Sequence, residues 1–259
     1  MKVDSAAVDL IRTVCNVMDG VDAEKVIEDY EELDSTNSEA KRLADGGKSG
    51  VFVVSARKQT SGRGRYGRAW YAPADNVAMT IAVPLPFSFL GSPTLPLMTG
   101  LAVHDVLQTL VGDRAAVCIK WPNDIVVDDA KISGTLIETS ATRIYVGIGV
   151  NLVAELPDAI YPTTSLGRFC NIERLALIEM IADRWLAQFQ KWTLDGFAPL
   201  AAMYTSNIWR RGEEVTIALN EARTDRVTGL CLGVNETGLL QLKLSDGTVR
   251  SFSTGDVGA

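Results

Sequence analysis

Apolar positions along the chain fall into short clusters of two different periods. Val51 to Val54, Val77 to Val83, Val117 to Trp121 and Ile125 to Val127 are short runs bounded by Gly, Pro, Asn or Asp. Lys131 to Glu138 and Arg143 to Val150 follow the same pattern. Their β-branched content and punctuation predict strands. Asp128-Asp129-Ala130 predicts a hairpin turn, and the last two runs predict adjacent antiparallel strands. Helical spacing runs from Thr94 to Val111 and from Glu173 to Trp192. In the second, Leu175, Ile178, Ile181, Ala182, Trp185 and Phe189 share one side. Thr36 with Glu39 fits a capping box that opens a short helix, which Gly46-Gly47 ends. Residues 1–29 read as one or two short helices with an apolar stripe of Leu10, Ile11, Val14 and Val17. Strands dominate, and helices stand between groups of them. The expectation is an α+β fold with a mixed, mainly antiparallel sheet and flanking helices, not a parallel doubly wound one.

From Gly212 the texture changes. Glu214 to Leu219, Arg226 to Leu232, Leu239 to Leu244 and Thr248 to Phe252 predict four short strands, with turn residues at Asn220, Asn235 to Gly238, and Asp246-Gly247. This predicts a small β-barrel. The chain is thus expected to divide into a domain over 1–208, with a short helical extension over 1–29, and a second domain over 209–259.

Composition narrows the function. The chain has 259 residues and a formal net charge of −7, and that acidic balance argues against general nucleic-acid binding. Cys15, Cys118, Cys170 and Cys231 lie far apart, without metal-site or redox spacing. The one His, His104, sits on an expected helix face, which excludes mechanisms that need several His. Met1-Lys2-Val3-Asp4 does not open like a signal peptide, and no segment approaches a membrane span. The expectation is a soluble cytoplasmic protein.

Ser55 to Tyr71 stands out against this background, with five cationic residues and three Gly. Arg supplies forks of donors that match phosphate and carboxylate, and Gly lets main chain approach a ligand. Gly62-x-Gly64-x-x-Gly67 matches a dinucleotide fingerprint by letter. That fingerprint must open a helix, and Arg68-Ala-Trp-Tyr-Ala-Pro73 does not. A solvated loop is the plain alternative, but Arg63, Arg65 and Arg68 crowd together unless an anion joins them. Like charges there predict a loop that orders only when the anion arrives. In Lys120-Trp-Pro-Asn-Asp124, Asn123 and Asp124 suit an ordinary turn, and Lys131 suits a sheet edge. Gly134, Gly147 and Gly149 weaken neighbouring strands unless something packs closely on the backbone. Together they predict a ligand lying across the sheet.

Gly62-Arg-Gly-Arg-Tyr-Gly-Arg-Ala-Trp70, Lys120-Trp-Pro-Asn-Asp124, Lys131-Ile-Ser-Gly-Thr-Leu-Ile-Glu138 and Gly147-Ile-Gly-Val-Asn151 occur in that order. With Asp34-Ser-Thr-Asn37 and Pro162-Thr-Thr-Ser-Leu166, they resemble the signature of biotin protein ligases, over about residues 28 to 255. The resemblance implies a class II synthetase-like catalytic domain and an SH3-like C-terminal barrel. It implies a two-step reaction using ATP, biotin and Mg²⁺, through biotinyl-5′-AMP, onto a lysine of a biotin carboxyl carrier domain. By similarity, biotin would meet Ser35, Thr36, Asn37, Gln59, Gly62, Arg63, Gly64, Arg65, Lys131, Gly134, Gly147 and Gly149. The nucleotide would meet Arg65, Arg68, Trp70, Asn123, Asp124, Lys131 and Asn151. Lys131 and Arg65 would act at the reacting centre, and Asp124 would help place Mg²⁺. Tyr66 departs from the signature, at a position where an Arg can stand. About thirty residues precede the motifs, so the expectation is a monofunctional ligase without a DNA-binding role. It would be a monomer or a homodimer, with strands near Val146 as a dimerising edge. A lipoate–protein ligase of the same fold, a biotin-responsive regulator and a catalytically silent module are the competing readings.

Overall fold

The computed structural model describes residues 26–70, 75–85, 93–153 and 162–258. The helices expected over 1–25 lie outside these. Ile27–Leu33, partly assigned above to the helical extension, is instead a strand, β1. A main sheet then forms from β2 (Phe52–Gln59), β3 (Val77–Pro84), β4 (Val117–Lys120), β5 (Asp124–Val127), β6 (Ala130–Thr139) and β7 (Arg143–Val150). Its order is β1-β2-β3-β7-β6-β5-β4. Only β1 with β2 is parallel, so the sheet is mixed and mainly antiparallel, as expected. β2 runs to Gln59, so Arg57 and Lys58 belong to a strand and not to the loop. They pair with Glu31, Asp75 and Glu32.

Strand alternation gives the sheet two unlike faces. On one face Val53, Val77, Met79, Ile81, Val83, Ile144, Val146, Ile148 and Val150 are buried beneath helices α2 (Leu95–Val111) and α3 (Arg174–Asp195). Trp185 stacks on Phe189 at 4.7 Å and donates from Nε1 to Thr99 Oγ1 at 2.9 Å. His104 is buried on α2, with Nε2 3.2 Å from the Val117 carbonyl. The other face carries the short helix α1 (Thr36–Asp45), whose Ala40 packs with Phe52, Val54, Ala82 and Tyr145.

β7 lies between β3 and β6, so Val146 is central and offers no edge for a dimer. The sheet edges are β1 and β4. β4 is covered by the connection to the second sheet. Ile119 N–H donates to Asn207 O at 2.8 Å, and Trp209 N–H donates back to Ile119 O at 2.9 Å. Trp209 Nε1 also donates to Asp129 Oδ1 at 2.6 Å, and Arg210 pairs with the same carboxylate. A helix not foreseen, α4 (Ala198–Ser206), leads into this connection. The second sheet is antiparallel, in the order β11-β10-β9-β8-β12. It comprises β8 (Glu214–Ala218), β9 (Arg226–Val234), β10 (Leu240–Lys243), β11 (Val249–Phe252) and β12 (Asp256–Gly258). Four strands were expected there; β12 is the fifth, and it pairs with β8.

Phe52 is 2% exposed and anchors α1. Phe52→Ala should cost about 3–5 kcal/mol, measured as a lower urea midpoint. A loss under about 1 kcal/mol would mean that α1 is not held by this cluster.

Candidate active site

The site begins as a row of very small residues in register. Ala56 pairs with Ala78, Ala78 with Gly149, Gly149 with Gly134, and Gly134 with Asp124. These residues cross five strands on the α1 face. Four of them have a methyl group or less, so the row is a groove cut into the sheet. The next row, Val54, Thr80, Gly147 and Leu136, widens it. A Cβ at Gly147 would stand 2.8 Å from Asn37 Oδ1, and one at Gly149 only 2.2 Å from the Trp70 ring. These glycines therefore admit side chains that lie on the sheet.

One end of the groove is built from uncharged hydrogen-bonding groups. Thr36 N–H donates to Gln59 Oε1 at 2.8 Å. Thr80 Oγ1 lies 2.6 Å from Asn37 Oδ1 and 2.8 Å from Thr36 Oγ1. Asn37 Nδ2 donates to Glu138 Oε2 at 2.8 Å. The expected capping box is absent. Ser35 is the N-cap residue, Thr36 faces the groove, and Glu39 pairs with Arg42 at 2.7 Å. Tertiary partners on β2 and β3 have won over the local cap.

The other end is charged. Regular alternation would turn Lys131 away from Gly134. A bulge on β6 breaks that alternation, because Ile125 pairs with Ser133 but Val126 pairs with Lys131. A bulge re-aims the side chain it carries, and Lys131 Nζ comes within 3.0 Å of where a Gly134 Cβ would be. There it pairs with Asp124 Oδ2 at 2.8 Å and lies 5.5 Å from the centroid of the Trp70 ring. Asn151 stabilises the bulge from below, donating from Nδ2 to Lys131 O at 3.3 Å and Thr164 O at 3.1 Å.

The loop between β2 and β3 folds back on itself. Gly64 N–H donates to Arg68 O at 2.7 Å, and Trp70 N–H donates to Gly62 O at 2.9 Å. Its three guanidiniums take separate partners. Arg63 reaches Ser38 Oγ at 3.1 Å and Glu138 at 3.4 Å. Arg65 Nη1 donates to Asn123 Oδ1 at 3.1 Å. Arg68 reaches Asp256 Oδ2, on β12, at 3.4 Å. Glu138 and Asp256 thus offset part of the repulsion expected from sequence. The Trp70 indole rests on the groove floor at Gly149, with its buried Nε1 unpartnered.

Fifteen of the seventeen residues expected at the site line this one cavity. They are Ser35, Thr36, Asn37, Gln59, Arg63, Gly64, Arg65, Arg68, Trp70, Asn123, Asp124, Lys131, Gly134, Gly147 and Gly149. Gly62 and Asn151 stand behind it as supports. Reasoning from sequence missed Thr80, Glu138 and Asp256. Thr80 has a readable signal, being a polar residue inside the apolar β3 run. Glu138 closes a quoted motif but was given no role. Nothing in the sequence announces Asp256.

Comparison with known proteins places this geometry. A family model described as the Biotin/lipoate A/B protein ligase family matches residues 31–152. Another, the Biotin protein ligase C terminal domain, matches residues 212–257. A biotin–[acetyl-CoA-carboxylase] ligase from Paracoccus denitrificans is 35% identical, over 81% of this chain and 91% of the relative. The chain belongs to the biotin protein ligase family. A bifunctional ligase/repressor BirA from Bacillus subtilis is 29% identical, over 86% of this chain and 71% of its own length. A solved biotin protein ligase from Aquifex aeolicus, in complex with biotin and ATP, superposes with a TM-score of 0.78 at 28% identity. That match covers 91% of this chain and 98% of the other. The second sheet is therefore this family's C-terminal domain, in keeping with the SH3-like barrel expected.

Glu138 ties Asn37 on α1 to Arg63 of the loop. Burial works against its ionisation, but the hydrogen bonds from Asn37 and Lys41 and the charge of Arg63 outweigh it. Its carboxyl is held below the ordinary value of 4.5. Asp34, bonded by Arg42, is lowered to about 2. A depressed carboxylate stabilises the fold fully above its unfolded pKa, and the contribution fades as pH falls through the folded value. Thermal stability should therefore fall mainly below pH 4.5. Glu138→Gln should be less stable than the parent at neutral pH, and the difference should shrink as pH falls below 4.5. A constant difference across that range would show that the Glu138 charge is not what stabilises.

Proposed function

We propose that this chain activates biotin with ATP, forms biotinyl-5′-AMP and pyrophosphate, and transfers biotin to a lysine of a biotin carboxyl carrier domain. The observation that carries this reading is the groove's gradient, with uncharged polar groups backed by the Arg63–Glu138 pair at one end, and Lys131, Arg65 and Arg68 with Asp124 and Asp256 at the other. A ureido ring has donors and acceptors that must be paired when buried. Asn37, Thr36, Ser35 and Gln59 supply both kinds without charge. The acyl tail would lie over the row of small residues, which brings its carboxylate to Lys131.

In the first step a biotin carboxylate oxygen attacks the α-phosphorus. The new P–O bond forms as the bond to the β-phosphate bridging oxygen breaks, and pyrophosphate leaves with that electron pair. Two anions must meet, and charge gathers on the α-phosphoryl oxygens, so preorganised cations matter more than a base. Lys131 and Arg65 are the cations assigned to that centre, and Arg68 to the triphosphate. Trp70, Asn123 and Asp124 serve the nucleotide, and Asn151 acts on it through the backbone of Lys131. In the second step the neutral acceptor amine attacks the acyl carbon, AMP leaves with the C–O electron pair, and the amine nitrogen gives up one proton to solvent as the amide forms.

Asp124 and Asp256 are the carboxylates that line the cavity. Among the described residues no group of three or more His, Cys, Asp or Glu side chains is placed to hold a metal. Mg²⁺ is commonly held by one or two carboxylates with substrate phosphates, so Asp124 suits an ion that arrives with ATP. There it would neutralise phosphate charge. We place the boundary between the two domains at residues 208/209, within the connection that covers β4. ATP supply favours a cytoplasmic setting, and among the described residues no helix is long and apolar enough to cross a membrane.

Biotin-dependent exchange of labelled pyrophosphate into ATP tests the reading, with lipoate as the parallel substrate. Exchange with biotin alone is expected; exchange with lipoate alone would overturn the ligand. Lys131→Ala should lower the biotin exchange rate by about 100-fold or more, and a rate near that of the parent would remove Lys131 from the reacting centre. Gly147→Val should raise KM for biotin, because its side chain would displace Asn37. An unchanged KM would move biotin off the groove floor.

A further inference from the structure

We infer that Tyr66 is a positioning residue for the Arg65 and Arg68 guanidiniums, and that the C-terminal sheet fastens it. The inference deepens the ligase reading and rests on it. Tyr66 has φ 57° and ψ 37°, the left-handed region that a residue with a Cβ seldom adopts. Gly67 follows at φ 67°. Backbone conformation alone would favour glycine at both positions, so the Tyr66 side chain must return something for the strain it carries.

What it returns is contact with both cations. Arg65 Cζ lies 4.9 Å and Arg68 Cζ 5.7 Å from the centroid of the Tyr66 ring. A ring attracts a guanidinium within about 6 Å of its centroid, so one ring offsets the repulsion between two like charges. The Tyr66 hydroxyl accepts from Arg65 Nη2 at 3.0 Å, while Arg65 Nη1 donates to Asn123. The same hydroxyl lies 3.4 Å from Thr254 Oγ1, between β11 and β12. Arg68 is drawn to Asp256, two residues further along. The loop tip is therefore fastened to the second sheet at two points. Arg65 is directed inward to Asn123 and Arg68 outward along β12. Without the ring, two long side chains regain rotamer freedom and must be ordered again in each turnover. An Arg at position 66 would add a third like charge here, where Tyr66 supplies a neutral platform.

The test is the same pyrophosphate exchange, with ATP varied at saturating biotin and then biotin varied at saturating ATP, on the full chain carrying Tyr66→Gly, Tyr66→Phe or Thr254→Val. Tyr66→Gly relieves the backbone, so its thermal midpoint should equal or exceed that of the parent. Its kcat/KM for ATP should nevertheless fall roughly tenfold, as two cation–ring contacts are lost, with KM for biotin unchanged. Tyr66→Phe should restore most of that loss, and Thr254→Val, which removes only one of the two hydroxyl contacts, should show no more than the small deficit that remains. Parental kcat/KM in Tyr66→Gly would overturn the inference. A Tyr66→Phe variant as impaired as Tyr66→Gly would overturn the role of the ring. Failure of the parent itself to exchange with biotin would overturn the ligase reading and this inference with it.

Discussion

Register across five strands is the constraint on which the rest of the site depends. Ala56, Ala78, Gly149 and Gly134 make a groove only because they stand opposite one another. A slip of one residue in β7 would put Ile148 and Val150 on the groove face and drive glycines into the core. What prevents the slip is the other face. There Val77, Met79, Ile81, Ile144, Val146, Ile148 and Val150 are almost fully buried beneath α2 and α3. The apolar core therefore does more than stabilise, since it fixes the register that opens the groove on the side it does not touch.

Charge is distributed on that frame with the same economy. The loop brings three guanidiniums to one rim, and three elements take one each. Glu138 on β6 takes Arg63, Asn123 before β5 takes Arg65, and Asp256 on β12 takes Arg68. Two of these partners are carboxylates, so the rim is partly neutralised before any substrate charge enters. Asp256 comes from the second sheet, which makes that sheet a wall of the site. The connection between the sheets supports this role, because residues 207–209 extend β4 and Trp209 is tied to Asp129. A loosely tethered domain could not hold Arg68 in one direction.

The sequence disclosed the features that depend on periodicity and little of what depends on tertiary choice. Tyr145, Gly147 and Gly149 alternate with Ile144, Val146 and Ile148, so the groove floor was legible on β7 alone. β1 was not, because Ile27–Leu33 is an acidic edge strand whose partners are cations on β2, Lys48 after α1 and Arg174 on α3. It carries too few apolar residues to read as strand. The capping box failed for a related reason. Thr36 had a local use and a distant one, and Thr80 with Gln59 offered the distant one. β12 spans three residues, too short for any pattern to show, yet it supplies Asp256.

Lys131 shows most clearly how a residue can be identified while its mechanics stay hidden. Its motif marked it, but strict alternation from Gly134 would turn it into the core. The bulge that reverses it leaves Ile132 as the extra residue, buried at 0% exposure on the core side. An apolar side chain at 132 is therefore what allows a cation at 131 to reach the groove. The segment 162–164 completes the arrangement. Lys131 N–H donates to Pro162 O at 2.8 Å, and Thr164 N–H donates to Lys131 O at 2.9 Å. A bulged strand loses ladder bonds to one neighbour, and this segment replaces them. Lys131 thus stands on backbone hydrogen-bonded on both sides, and little reorganisation is needed for its charge to face the groove when the reaction begins.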